Sequence, residues 1–273
     1  MKVALIGCGA IGTVLAKSID SGKAGDTTLK IVYDLKPEKC AKLANKMRSK
    51  PKVAKRASEI YADKTVSLVV EAAAQTAVRQ YALNILRSGK DLMVMSVGAF
   101  SDEKLLKSVT AAAKKTARKV HIPSGAIIGI DGIKAAGIGR IKEVTLTTRK
   151  PPAALAYSDY VKKRGINLKN ISKPIVLFQG PARTAVRLFP ASVNVAATLS
   201  LAGIGLDRTK VRVIADPKTK RNVHEIRVKG DAGELLTEAR NVPMPDTPRT
   251  SQLAALSAIR TLRNLSESLR VGT

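Results

Sequence analysis

The feature that most constrains the fold is an alternation of short apolar runs and amphipathic segments through residues 1–123. Five runs have the length and composition of buried strands, and segments with helical periodicity separate them. Connections of this kind join parallel strands, so the pattern predicts an α/β fold with a doubly wound parallel sheet of the Rossmann type. The predicted strands are 2–7, 29–34, 66–73, 91–96 and 119–123, and the predicted helices are 11–20, 37–47, 76–88 and 102–117, the last capped by Ser101.

The pattern changes after Pro123. Residues 124–139 are rich in glycine and small side chains, and longer alternating segments follow them, which indicates a second, α+β domain with a mixed sheet. Its predicted strands are 143–150, 174–180, 182–190, 210–217, 222–230 and 233–241, with a hairpin around Gly180 and Pro181, and its predicted helix is 192–202. A final amphipathic helix is predicted over 250–269, which we expect to pack back on the first domain.

We therefore expect three segments with different roles. Residues 1–123 form a dinucleotide-binding domain, and residues 124–245 form a substrate and catalytic domain that also offers a dimer contact. Residues 246–273 return to the Rossmann domain through the last helix. The expected assembly is a homodimer.

The sequence GCGAIG at residues 7–12 lies between the first predicted strand and the first predicted helix. In a dinucleotide-binding turn of this type, Gly7 permits the tight turn, Gly9 leaves room for a pyrophosphate, and Gly12 lets the helix pack close to the strand. The N–H groups of the first helical turn, at Ala10 and Ile11, then face the phosphates. The turn therefore predicts a bound dinucleotide.

Asp34 ends the second predicted strand, 22 residues after Gly12. A carboxylate at this point accepts hydrogen bonds from the ribose hydroxyls and repels a 2′-phosphate, which favours NAD. The nearby Lys36 weakens this preference and leaves NADP open. The alternative interpretation is a bare structural turn, with Asp34 as a surface residue. Cys8 and Cys40 have no metal-ligand spacing, so no metal site is predicted, and two cysteines without a disulfide framework fit a reducing cytoplasm.

The chain carries 48 Lys and Arg against 21 Asp and Glu, a formal net charge of +27. This charge suggests a nucleic-acid-binding protein, but the basic residues are spread along the chain and form no tail. Five Tyr and three Phe also offer few rings for stacking on bases. We interpret the surface as generally basic, with no specific nucleic-acid partner. No apolar run is long enough to span a bilayer, so we expect a cytoplasmic protein with no membrane partner.

His224 is the one histidine in the second predicted domain. It shares its strand alternation with Ile226 and Val228, so its side chain is predicted to face the core. Two interpretations follow: a hydrogen-bonded core residue, or a general acid and base that titrates near neutrality. The pattern of this strand does not decide between them.

Two further segments are candidates for ligand contacts. Asn194 falls in the first turn of the predicted helix 192–202, where Ser192 would otherwise serve simply as the N-cap. Ala126 lies in the small-residue segment 123–129, which follows the fifth predicted strand at the edge of the sheet where dinucleotides bind. Small residues there would let a nicotinamide ring approach the backbone.

Several stretches together resemble the L-aspartate dehydrogenase family over almost the whole chain. They are GCGAIG, HIPSGAIIGIDG, LFPASVNVAATLSLAG, ADPKTKRNVHEIRVKGDAGEL and TPRTSQLAALSAIRTLRNL. The resemblance implies NAD(P)-dependent oxidation of L-aspartate to iminoaspartate, and then to oxaloacetate and ammonia, with the imine also available for quinolinate and NAD biosynthesis. It implies that His224 is catalytic and that Ala126 and Asn194 contact the cofactor. The family pattern more often has Asn at the position of Ser192, which leaves Ser192 or Asn194 open as the contact.

The residues suit this reaction. Hydride leaves the α-carbon of an amino acid only when the amine is neutral, so a base must accept a proton, and His224 is a candidate. The sequence leaves open which Lys or Arg binds the substrate carboxylates. Two alternatives also remain: another Rossmann oxidoreductase of the homoserine dehydrogenase or dihydrodipicolinate reductase type, and a nucleotide-sensing protein that binds nucleic acid.

Overall fold

The computed structural model describes residues 1–190, 193–245, 247–269 and 271–272. The chain divides into two compact units. The first contains Met1–Pro123 and Ala255–Val271, and the second contains Ser124–Ala254 with the last residues of the chain. Within the described ranges, no helix has the length and apolar character needed to cross a membrane.

The first unit is built on a six-stranded sheet in which every strand pair is parallel. The strands are β1 (Lys2–Ile6), β2 (Thr28–Tyr33), β3 (Lys52–Val53), β4 (Leu68–Glu71), β5 (Asp91–Val94) and β6 (Val120–His121). Their order in the sheet is β3-β2-β1-β4-β5-β6, which is the Rossmann order and confirms the predicted fold. The edge strand β3 was not predicted, because two residues carry no periodicity.

Helices connect these strands, and four of them are the helices that the alternation predicted, whereas the helix at Ser58–Ala62 was not predicted. They are α1 (Ala10–Asp20), α2 (Pro37–Asn45), α3 (Ser58–Ala62), α4 (Gln75–Arg87) and α5 (Glu103–Lys115), with a 3-10 turn at Val97–Ser101. The predicted N-cap of α5 was wrong by one residue. Ser101 belongs to the 3-10 turn, and the Asp102 carboxylate accepts hydrogen bonds from the N–H groups of Lys104 and Leu105. A carboxylate at this position also interacts favourably with the helix dipole.

The second unit contains a five-stranded mixed sheet. Its elements are α6 (Ile130–Ala136), β7 (Ile141–Lys150), α7 (Pro152–Leu155), α8 (Asp159–Lys163), β8 (Ile175–Pro181), α9 (Ala182–Leu188), α10 (Asn194–Ala202), β9 (Lys210–Ala215), β10 (Asn222–Gly230) and β11 (Gly233–Asn241). The strand order is β11-β10-β7-β9-β8, with β7 and β9 parallel and the other pairs antiparallel. The prediction of a mixed sheet is confirmed.

The predicted hairpin of 174–180 with 182–190 was wrong. Strand β8 pairs with β9, and residues Ala182–Leu188 form α9. Ala182, Ala185 and Val186 are the buried residues of α9, and their spacing is helical. Pro181 ends the strand and precedes the helix with an extended backbone, so it marks a strand-to-helix junction.

The chain ends with a short hairpin and a helix. They are β12 (Pro243–Met244), β13 (Thr247–Ser251) and α11 (Gln252–Ser266). The final helix is therefore shorter at both ends than the predicted 250–269. Its buried residues Ala258, Ile259 and Leu262 belong to the core that also contains Val3 and Leu5 of β1, so the helix packs on the Rossmann unit as its amphipathic pattern predicted.

Candidate active site

The glycine turn between β1 and α1 has three glycines with different reasons to lack a side chain. Gly7 has φ of +102°, and a Cβ there would lie 2.6 Å from the backbone of Ala72. A Cβ on Gly12 would lie 1.9 Å from the Gly7 carbonyl oxygen. A Cβ on Gly9 would meet nothing within 4 Å. The fold itself therefore requires Gly7 and Gly12, whereas Gly9 borders open space.

The N-terminus of α1 faces this open space without a side-chain cap. The N-cap residue is Gly9, which has no side chain to accept a hydrogen bond from the first turn. Ala10 and Ile11 begin the helix and are half-buried. Uncapped N–H groups and the positive end of the helix dipole suit a phosphate group.

Asp34 follows β2 and is held against the glycine turn. Its Oδ2 accepts a hydrogen bond from the Cys8 N–H at 2.8 Å, and its Oδ1 accepts one from the Lys36 N–H at 2.9 Å. The carboxylate therefore has a fixed orientation beside the turn. The Cys8 thiol lies 3.2 Å from the buried Cys40 thiol, so these cysteines pack together beneath the turn.

A cavity of about 240 Å³ lies beside the turn, which is space for roughly eight water molecules and therefore for a group much larger than an ion. It is located where the strand order reverses between β1 and β4, the usual dinucleotide position in such sheets. Its lining includes Gly7, Gly9, Asp34, Leu35, Lys39 and Ala72–Ala74. An open Gly9, an uncapped helix and an oriented carboxylate fit the pyrophosphate and ribose of a dinucleotide. Lys39, and not the predicted Lys36, is the lysine that lines the cavity.

A buried carboxylate orders part of the wall of this cavity. Glu71 ends β4 and is 1% exposed. It accepts hydrogen bonds from the Ala73 N–H at 2.8 Å, the Ser96 N–H at 3.0 Å and the Ser96 hydroxyl at 2.9 Å. Burial raises the pKa of this carboxyl. Glu71 therefore shapes the loop Ala72–Ala74, a role that its apolar strand sequence did not predict.

In the second unit, His224 is 2% exposed and faces the core, as the strand alternation predicted. It lies between Thr148 on β7 and Ala239 on β11. Its Nδ1 is 3.1 Å from the hydroxyl of Thr148, which is itself fully buried. Burial and the nearby Lys150 ammonium lower the pKa of His224 to about 3, so its imidazole is neutral at physiological pH.

Lys150 is the functional candidate that the sequence analysis missed. It ends β7, is 2% exposed, and donates a hydrogen bond to the Arg249 carbonyl at 2.8 Å. Burial, and then the positive charge of Arg249, lower its pKa to about 7. Strand alternation could have found it, because Val144, Leu146 and Lys150 share one face of β7 and all are buried.

Two buried asparagines, one on β10 and one on β11, extend this group of polar residues across the sheet. Asn222 precedes His224 by two residues on β10 and pairs with Asn241 on β11. The Asn222 amide donates to the Pro248 carbonyl at 3.0 Å, and its Oδ1 has no hydrogen-bond donor among the described residues. The Asn241 amide donates to the Ala126 carbonyl at 3.0 Å. We refer to Lys150, Asn222 and Asn241 as the polar row.

The comparisons with known proteins divide the chain at nearly the same place. Residues 131–265 match the family model for the C-terminal domain of aspartate dehydrogenase, and residues 7–123 match the NAD-binding domain model of homoserine dehydrogenase. The L-aspartate dehydrogenase of Methanosarcina mazei is 46% identical over 273 residues, covering 100% of each chain. The L-aspartate dehydrogenase of Nitrosopumilus maritimus is 40% identical over 273 residues, covering 100% of this chain and 99% of the relative.

The chain belongs to the aspartate dehydrogenase family. The crystal structure of the Thermotoga maritima aspartate dehydrogenase agrees, with a TM-score of 0.78, 29% identity and coverage of 100% of this chain and 99% of that one. A scyllo-inositol dehydrogenase of Lactobacillus casei, solved with NAD(H), shares the fold with a TM-score of 0.58 at 14% identity, covering 97% of this chain and 88% of that one. Full-length identity to aspartate dehydrogenases favours this family over the two alternatives left open by the sequence.

The remaining residues predicted for the cofactor site lie in the second unit. Ala126 is 5% exposed, and its carbonyl is held by Asn241 of the polar row. Asn194 is the first residue of α10 and is half-buried. Ser192, the alternative to Asn194, lies outside the described residues. The structure thus connects Ala126 to the polar row by a hydrogen bond from Asn241.

Proposed function

We propose that this protein is an NAD(P)-dependent L-aspartate dehydrogenase that prefers NAD. It oxidises L-aspartate to iminoaspartate, which water converts to oxaloacetate and ammonia. The observation that carries the proposal is the buried His224 beside Thr148 and the polar row, in the part of the chain that matches the aspartate dehydrogenase model. The imine product also makes a supply of iminoaspartate for NAD biosynthesis part of the proposal.

The cofactor would be held by the glycine turn and by Asp34. The Ala10 and Ile11 N–H groups would face the pyrophosphate across Gly9, and the Asp34 carboxylate would accept hydrogen bonds from the adenosine ribose. Leu35 lines the same cavity with 77% of its surface exposed, which suits contact with an adenine ring. These features support NAD over NADP, although Lys39 in the cavity wall attracts a 2′-phosphate.

The proposed base is His224. For this role, its Nδ1–H donates to the Thr148 hydroxyl, which leaves the Nε2 lone pair to take a proton from the substrate ammonium. The neutral amine then allows hydride to leave the α-carbon, and the nicotinamide supplies the acceptor when it is bound. The protonated imidazole can return its proton during attack of water on the imine.

The family resemblance further supports cofactor contacts at Ala126 and at Asn194 or Ser192. It also supports division of labour between the dinucleotide-binding segment 1–123 and the substrate segment 124–245. A homodimer is supported by β11, an edge strand of the second sheet, on which Leu236 is 63% exposed. The proposed location is the cytoplasm.

The test is a substrate comparison with the purified protein. NADH formation is measured with L-aspartate, L-glutamate, L-alanine and L-homoserine, and the aspartate reaction is repeated with NADP. The reverse reaction is followed as NADH consumption with oxaloacetate and ammonia. The proposal expects activity with aspartate alone and a higher kcat/KM with NAD. Oxidation of L-homoserine together with a lack of activity on L-aspartate would contradict the proposal.

A further inference from the structure

Lys150 is a buried lysine whose ammonium forms no ion pair with any residue in the described ranges of the chain. None of the ion pairs found among the described residues includes it, although it is 2% exposed. The one described hydrogen bond of its side-chain ammonium goes to the neutral carbonyl of Arg249. Buried lysines are rare unless they are paired, because an uncompensated charge in the interior is costly.

The groups around the Lys150 ammonium favour an anion. Arg249 on β13 acts on it as a second positive charge, and His224 on β10 is the other titratable side chain that interacts with it. Thr148 on its own strand is neutral. Asp216 donates its N–H to the Lys150 carbonyl, but its carboxylate pairs with Arg149 at 3.0 Å. Among the residues that the structure describes, the local field is therefore positive, and no carboxylate pairs with the Lys150 ammonium.

The neighbouring Asn222 carries a buried acceptor oxygen that complements the Lys150 ammonium. Its Oδ1 is buried and has no donor among the described residues, while its amide is fixed on the Pro248 carbonyl. Buried acceptors of this kind are normally satisfied by the protein, water or a ligand. The Lys150 ammonium can pair with a carboxylate, and the Asn222 Oδ1 can accept a hydrogen bond from an ammonium. An amino acid zwitterion carries both of these groups, so the two residues together suit its recognition.

We propose that Lys150 binds a carboxylate group of the substrate amino acid and thereby contributes to selection of a dicarboxylate. This inference rests on the proposed function, because it places the lysine beside the proposed base, His224. It assigns one of the cations that the substrate requires and that the sequence left open.

The proposal has an electrostatic consequence for the neighbouring base. A carboxylate on Lys150 stabilises the ammonium, and it also offsets the positive charge that helps to depress the pKa of His224. Substrate binding would then raise the basicity of His224 at the moment when a base is needed. Because the pKa of free Lys150 is about 7, binding of a carboxylate weakens as pH rises above 7 and Lys150 loses its proton.

The experiment measures binding of succinate, a dicarboxylate without an amine to oxidise, in the presence of saturating NAD. Succinate affinity is measured by calorimetry for the native protein, Lys150→Met and a matched control, Lys142→Met. Lys142 lies on the same strand but is exposed and pairs with Asp231 at 2.7 Å. We expect the native protein and the control to bind alike, and Lys150→Met to bind more weakly by a factor on the order of 30 or more. Equal affinity in Lys150→Met, or no succinate binding to the native protein, would overturn the proposal.

A second measurement needs no variant. The succinate Kd of the native protein should rise by about tenfold per pH unit above pH 7, with proton uptake on binding. A Kd that stays constant from pH 6 to pH 9 would contradict a Lys150 that loses its proton near pH 7 and binds the carboxylate only as an ammonium.

Kinetics then distinguish this inference from the proposed function. If the native protein oxidises aspartate and Lys150→Met keeps the native KM for aspartate, the lysine assignment alone fails. If no amino acid is oxidised but succinate binding depends on Lys150, the dehydrogenase proposal fails and the carboxylate site remains. The expected result is a raised KM for aspartate in Lys150→Met, with an unchanged Kd for NADH.

Discussion

The glycine turn offers a prediction in which two neighbouring glycines should fail in different ways. Gly12→Ala places a Cβ 1.9 Å from the Gly7 carbonyl oxygen, whereas ordinary contacts begin near 3.4 Å. Either α1 or the turn must therefore move by about 1.5 Å, the difference between these distances. Gly7 cannot easily absorb the shift, because it lies so near the Ala72 backbone that an added Cβ would be only 2.6 Å away, and because its φ is positive.

The expected cost of Gly12→Ala is about 1–3 kcal/mol, the range for overpacking a well-packed site. For a protein of this size, that corresponds to a fall in Tm of roughly 3–10 °C. Gly9→Val meets no protein atom within 4 Å at Cβ, so its effect on Tm should stay within about 3 °C. Its side chain instead occupies the space proposed for the pyrophosphate. Loss of two charge-assisted hydrogen bonds there would raise the NADH Kd by about 100-fold or more.

Both variants are compared with the native protein by calorimetric Tm and by NADH fluorescence titration. The chain contains no Trp, so NADH fluorescence is read without a tryptophan background. The reasoning expects a folded Gly9→Val that no longer binds NADH and a destabilised Gly12→Ala. Native NADH affinity in a folded Gly9→Val would refute the assignment of this turn to the cofactor. An unchanged Tm in Gly12→Ala would refute the steric argument.

Three further predictions concern other parts of the molecule. Asp34→Ala should shift the NADP-to-NAD ratio of kcat/KM upward by about tenfold, with Lys39 as the cation that remains, and an unaltered ratio would show that Asp34 does not contact the ribose. His224→Gln should lower kcat for aspartate by a factor on the order of 100 with little change in NADH Kd, whereas native turnover with a lowered Tm would return His224 to a packing role. Leu262→Ala should lower the free energy of unfolding by about 2–5 kcal/mol in urea, because the side chain is fully buried, while the 54% exposed Leu256→Ala should change it little.

Much of the first unit could be predicted because its signals are local. Periodicity within each segment predicted the parallel sheet and its crossover helices, and the spacing of Gly7, Gly9 and Gly12 predicted the turn. The alternation along β10 likewise predicted that His224 faces the core, which the structure confirms. Each of these depends on residues a few positions apart, where backbone geometry dictates which side chains share a face.

The pairing of distant strands was decided by the tertiary structure. Thr148 and His224 are 76 residues apart, and only the antiparallel register of β7 with β10 brings their side chains together and aligns Lys150 with Asn222. Pairing between distant strands also explains why the predicted hairpin at Pro181 was wrong. Strand β8 pairs with β9, and the residues that follow Pro181 form a helix. Strand register is selected by burial over a whole sheet. Local sequence patterns can therefore identify His224 as a buried residue, but they cannot show that Lys150 lies close enough to lower its pKa.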